Sequence, residues 1–150
     1  MDKVEALRNV ELFEGASDEL LAKVAEIAEE KTFVLGEMIF QEGEKAEWVY
    51  VLLEGKVRIS IDLTSKPTYI TVAMIEKPQW AFGWSGIVAP YRYTASATCD
   101  VETRVLAIPG IKLEEILDEE PECGCHVMKK LTELISSRLR NSRMTLLRTM

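Results

Sequence analysis

The sequence predicts an α+β fold: an antiparallel β-roll, of the double-stranded β-helix or jelly-roll type, with N-terminal helices and a long C-terminal helix. Three observations lead there. The apolar period is helical up to residue 30 and changes from Lys31 onward. Between Lys31 and Pro109, about eight short strand-like runs are separated by turn residues at regular intervals. After Pro109-Gly110 the helical period returns and lasts almost to the end of the chain.

Each element has a local reason. Residues 2–9 read as a short helix, and Val10 to Gly15 as a connector anchored by Leu12 and Phe13. Ser17 suits an N-cap, with Asp18 and Glu19 placed well against the dipole of the helix that follows. Leu20, Val24, Ile27 and Ala28 recur at helical spacing, so an amphipathic helix is expected over 18–30. The run W-V-Y-V-L-L ends at Glu54-Gly55, and Val57, Ile59 and Ile61 alternate behind it, which reads as a tight hairpin. Gly43 marks an earlier turn and Ser65-Lys66-Pro67 a later one. Tyr69 to Ile75 is a further strand, closed by Glu76-Lys77-Pro78, and two more flank a turn near Asp100-Val101-Glu102. Ile111 to Glu120 forms one helix with Leu113, Ile116 and Leu117 on a face, and Pro121 begins another that reaches about Arg148. A single domain over 1–150 is expected: helices in 1–30, the roll in 31–109, helices in 111–148.

The 150 residues suffice for one full core, and 47% of them are hydrophobic. A net charge of −7 gives no general attraction to nucleic acid or anionic membrane. The charge is uneven: residues 121–150 carry six Lys/Arg against Glu122 and Glu133, a balance that suits a solvated helix face. No apolar run is long enough to cross a bilayer and the N-terminus is unlike a signal peptide, so cytoplasmic residence without membrane association is expected. The odd number of cysteines, Cys99, Cys123 and Cys125, fits free thiols. Cys123 and Cys125 point to opposite sides of a helix, leaving only Cys123 and His126 on one face, so no metal is expected. No nucleophile motif, paired catalytic carboxylates or phosphate-loop glycines appear, and no catalytic residue is assigned.

The stretch F82-G-W-S-G-I-V-A-P-Y-R-Y-T-A-S-A-T98 is the candidate site. A strand breaks at Phe82-Gly83, Ser85-Gly86 offers a short helical turn, and Pro90 stops it ahead of Arg92. Free backbone N–H groups near an arginine suit an anion; a plain inter-strand loop would look similar. The surrounding residues add a family resemblance. G36-E-M-I-F-Q-E-G43 and Y50-V-L-L-E-G55-K-V57 resemble the glycine-punctuated roll of cyclic-nucleotide-binding domains, with matching gaps of seven and twelve residues between the glycines. F82-G83 and T94-A-S-A resemble that family's phosphate-binding cassette, and the likeness runs from L12-F13 to R138-L139. It is closest to the sensory half of cyclic-AMP-receptor and Fnr-type regulators. Those continue into a DNA-binding helix-turn-helix, whereas this chain ends at Met150, so a free-standing module without direct DNA binding is expected.

The resemblance implies a cyclic nucleotide as ligand, and the cassette departs from it. Trp84 stands where the family has the glutamate that accepts the ribose hydroxyl, and an indole offers no carboxylate. The family's arginine falls in register at Tyr91, with Arg92 one place later, and Gln79 replaces a frequent glycine. The ligand-binding residues assigned are Phe82, Gly83, Trp84, Ser85, Arg92, Tyr93 and Thr94. Along the last helix, Val127, Leu131 and Leu134 form one apolar stripe, and Met128, Ile135, Leu139 and Leu146 a second, which implies a homodimer. Three readings stand open: a regulatory module for another ligand acting on an unknown partner protein, a scaffold with a filled pocket, and a true cyclic-nucleotide binder using Arg92.

Overall fold

A computed structural model describes residues 2–63 and 68–149; the turn expected at Ser65-Lys66-Pro67 lies outside the described residues. Helix α1 (Lys3–Arg8), a 3-10 turn (Glu11–Phe13) and α2 (Asp18–Ile27) lead into the strands. These are β1 (Glu29–Phe33), β2 (Met38–Phe40), β3 (Trp48–Glu54), β4 (Val57–Asp62), β5 (Tyr69–Ile75), β6 (Ala81–Phe82), β7 (Ser96–Cys99) and β8 (Thr103–Pro109). Two helices, α3 (Gly110–Glu119) and α4 (Pro121–Thr149), close the fold. The α+β roll is as the sequence predicts.

Ser17 caps α2 as expected, its hydroxyl accepting from the Leu20 N–H at 3.1 Å. That helix stops at Ile27 rather than at residue 30, because Ala28 is already extended and Glu29 pairs with Ala107 of β8. Strand pairing gives residues 29–33 backbone partners that a fraying last helical turn would leave to solvent.

The strands form two antiparallel sheets, ordered β1-β8-β3-β6 and β2-β7-β4-β5. The hairpin expected at Glu54-Gly55 is therefore not one: β3 and β4 belong to different sheets, and the turn carries the chain from one to the other. A second crossing, from β7 to β8, lies beside it, where the Asp100 N–H donates to the Lys56 carbonyl at 3.0 Å. Alternation and a tight turn are common to a hairpin and to a corner of a roll, and only the long-range pairing of β3 with β8 separates them.

The core has two chambers with the first sheet between them. Val49 and Val51 of β3, with Leu106 and Ile108 of β8, pack beneath the helices against Leu12, Phe13, Leu20, Leu113 and Leu131. The alternate residues, Tyr50 and Leu52 with Val105 and Ala107, face the interior of the roll against Phe40, Val57, Ile75 and Phe82. A strand covered on both faces reads as a continuous apolar run, which is the character of W-V-Y-V-L-L and V-L-A-I. α4 packs Val127, Leu131 and Leu134 on the helix-side chamber and continues past the roll.

Gly55 is the tightest point of the double crossing. It has φ +121, and an added Cβ would stand 2.7 Å from the Cα of Thr103. The Thr103 hydroxyl accepts from the Lys56 N–H at 3.3 Å and donates to the Val101 carbonyl at 2.9 Å, so it has little freedom to yield. Gly55→Ala is expected to cost about 2–3 kcal/mol, read as a lower urea midpoint at unchanged m-value.

Candidate functional site

The cassette leaves β6 and returns as β7, and its entry is set by one glycine. Gly83 has φ +72, and a Cβ there would come within 3.1 Å of the Phe40 and Tyr50 rings. The chain then makes a 3-10 turn, Trp84–Ile87, as the Ser85-Gly86 pair suggests. Two non-glycine residues of this region adopt the left-handed conformation, Gln79 (φ 71) and Tyr91 (φ 60). The first explains why glycine suits the position of Gln79: left-handed backbone disfavours a Cβ. The Gln79 N–H donates to the Leu52 carbonyl at 2.7 Å, which holds the backbone there.

Six of the seven assigned ligand residues, Phe82, Gly83, Trp84, Ser85, Tyr93 and Thr94, border a single cavity of about 80 Å³. Arg92 does not. Its side chain is exposed and donates from Nη1 to the Gly43 carbonyl at 3.0 Å, while its backbone bridges Lys45. The cation that borders the cavity is instead Arg138, from α4. Its Nη2 donates to the Ala81 carbonyl at 3.2 Å. Its guanidinium carbon lies 4.9 Å from the Trp84 ring centroid and 6.0 Å from that of Trp80. Burial pushes the Arg138 pKa below its ordinary value, with Glu11 opposing. Sequence reasoning had placed this arginine on a solvated basic face. The available signal was its phase: Arg138 follows Leu134 by four residues and Leu131 by seven, which puts a cation on the buried stripe.

Trp84 does not enter the roll. It packs against the helix-side chamber, half-buried, between the cavity and Arg138. The roll interior is filled by other rings. Phe40 stacks on Tyr93 at 3.8 Å between centroids, and Tyr50 lies 5.8 Å from Phe40 and 5.4 Å from Phe82. The Tyr93 hydroxyl donates to the Trp48 carbonyl at 2.7 Å, which ties the stack to β3. A larger groove of about 690 Å³ lies outside the roll, between Trp48, Tyr91 and Ile111.

On α4, Leu139 (55% exposed) and Met128 (39%) of the expected second stripe face outward, whereas Ile135 and Leu146 are half-buried. Met144 and Leu147 extend the exposed apolar surface toward the end of the helix. Cys123 approaches Ser17, and a ring nitrogen of His126 lies 2.8 Å from the Glu14 carbonyl, so both face the N-terminal connector. No helix among the described residues is long and apolar enough to cross a membrane.

Comparison with known proteins places this geometry. A family model described as a cyclic nucleotide-binding domain matches residues 30–120. A CRP-like cAMP-activated global transcriptional regulator of Mycobacterium tuberculosis is 25% identical over 138 residues, covering 92% of this chain. The chain spans 59% of that regulator's length. Among solved structures, a putative cyclic nucleotide-binding protein of Geobacter metallireducens is 34% identical, with a TM-score of 0.78 and coverage of 93% of this chain and 99% of the other. A cyclic nucleotide-binding domain of Methylobacillus flagellatus shares the fold at a TM-score of 0.80 and 20% identity, covering 99% of this chain and 82% of the other.

The ring stack has a measurable signature. Burial pushes the Tyr50 hydroxyl well up and that of Tyr93 to about 12. In the unfolded chain a tyrosine titrates near ~10. The folded state holds its protons longer, so the associated stability is complete below pH ~10 and is lost as pH rises toward ~12. Tyrosinate absorbance at pH ~11 is expected to show both phenols still protonated, appearing only on unfolding, and Tyr93→Phe is expected to reduce the alkaline loss of stability.

Proposed function

The chain belongs to the cyclic nucleotide-binding domain family, and from that membership we propose a non-enzymatic regulatory module that senses a ligand at the cassette without taking cyclic AMP or cyclic GMP. The observation that carries this reading is the stack of Phe40, Tyr50, Phe82 and Tyr93, which occupies the interior of the roll directly behind Gly83. A cavity of about 80 Å³ remains, against the roughly 300–1,000 Å³ of pockets that enclose a drug-sized ligand. Two further features support it. Trp84 brings no carboxylate to a ribose, and Arg92 is engaged with the Gly43 carbonyl on the turn before β3.

Signalling runs through α4. Arg138 joins this helix to the Ala81 carbonyl and to the Trp84 face, so a ligand that changes the cassette changes the seat of the helix. The module acts by shifting the population of α4 positions, and α4 presents that shift to a partner protein. The exposed part of α4 pairs with that of a second copy through Met128, Ile135, Leu139 and Leu146. Cytoplasmic residence belongs to the same proposal. The filled roll also favours a second reading, a dimerising scaffold that senses nothing.

A thermal-shift screen of cyclic mono- and dinucleotides, plain nucleotides and organic acids tests the reading. No saturable rise in Tm is expected with cyclic AMP or cyclic GMP; such a rise overturns the proposal in favour of a true cyclic-nucleotide binder. Silence from every compound favours the scaffold. Sedimentation is expected to give a dimer, and Leu139→Glu a monomer with an intact roll by circular dichroism.

A further inference from the structure

Three polar groups border the cassette cavity with hydrogen-bonding capacity unused. Among the described residues, neither the Ser85 hydroxyl nor the Thr94 hydroxyl has a protein partner. Arg138 commits one N–H, to the Ala81 carbonyl, and none of the ion pairs among the described residues involves it. Glu11 and Glu133 border a separate cavity on the other side of this arginine, so the cassette side of the guanidinium is left without a counter-charge. Indole faces hold its plane, which leaves N–H groups directed along its edge. A half-desolvated guanidinium with donor capacity to spare, next to two free hydroxyls, recognises an oxyanion better than a neutral group. The space decides the size. About 80 Å³, closed on the roll side by Phe40 and Tyr93, admits a few heavy atoms and no nucleoside.

We infer that this cassette binds a small oxyanion, a phosphate or a short carboxylate, held by the Arg138 guanidinium and the hydroxyls of Ser85 and Thr94. The inference rests on the reading of the chain as a ligand-sensing module and names the ligand class of the same site. It moves the ligand's cation from the loop to the last helix. Binding then couples directly to α4, because the group that grips the anion also seats the helix on Ala81 and Trp84.

Titration calorimetry and thermal shift with inorganic phosphate and with acetate, at ionic strength held constant with sodium chloride, test it. Saturation matters, because phosphate raises Tm non-specifically at high concentration by exclusion from protein surface. Saturable binding of at least one anion is expected, and the anion that binds tells phosphate from carboxylate. Arg138→Met is expected to weaken it tenfold or more, and Arg92→Gln to leave it as in the parent. Should Arg138→Met fail to fold, the double variant Ser85→Ala/Thr94→Val keeps the arginine and its helix contacts and is expected to lose binding likewise. A rise that never saturates and is equal in all variants, or loss on Arg92→Gln with retention on Arg138→Met, overturns the inference. If both anions are silent while another compound of the wider screen binds saturably, this inference fails and the sensing module stands; saturable cyclic AMP binding fails the module reading itself.

Discussion

One sheet with no exposed face organises this protein. β3 and β8 lie at its centre, each sending alternate side chains into the helix-side chamber and into the roll. Burying both faces removes roughly twice the apolar area per residue that a half-solvated strand removes, at the same backbone entropy cost. It also means that neither chamber can change alone. A displacement of β3 or β6 is felt by the helices through Val49, Val51 and Ala81, and by the rings through Tyr50 and Phe82. The cassette begins at the end of β6, on the boundary between the two chambers, which is why a change there reaches α4 over a short path.

The same boundary explains how the aromatic residues of the cassette divide their work. Phe82 and Tyr93 turn into the roll and join Phe40 and Tyr50, while Trp84, two residues after Phe82, turns toward the helices. Gly83 permits the reversal: its left-handed backbone redirects the chain, and the absence of a side chain lets the Phe40 and Tyr50 rings close against it. An indole delivered to the helix side then offers its face to the one arginine of α4 that lies on the buried stripe. The charge that evolved family relatives bring to this site from the loop is here brought from the helix, and its position depends on how α4 is seated.

Much of the fold was legible because its signals are local. The N-cap at Ser17, the change of period at Lys31, the strand at Trp48 to Glu54 and the break at Pro121 each follow from a few adjacent residues. The errors came where local signals were ambiguous. A glycine between two alternating runs reads as a hairpin, yet Gly55 carries the chain between sheets, since β3 pairs with a strand some fifty residues later. Ala28 to Glu30 had acceptable helical spacing, but pairing of Glu29 and Glu30 with β8 drew them into the sheet.

By itself, the sequence determined the class of fold, the order of its elements, the place of the cassette between Phe82 and Thr98, and the loss of a carboxylate at Trp84, since these rest on residue identity and near-neighbour spacing. The tertiary structure alone decided which cation faces the cavity and what fills the roll. Arg92 is four residues from Ser96 of β7, yet its guanidinium reaches Gly43 and not the cavity; Arg138, more than forty residues further on, arrives beside Ser85 and Thr94 because α4 packs across β6. Such pairings are set by the packing of distant elements against a shared core, a three-dimensional constraint that local spacing along the chain does not encode.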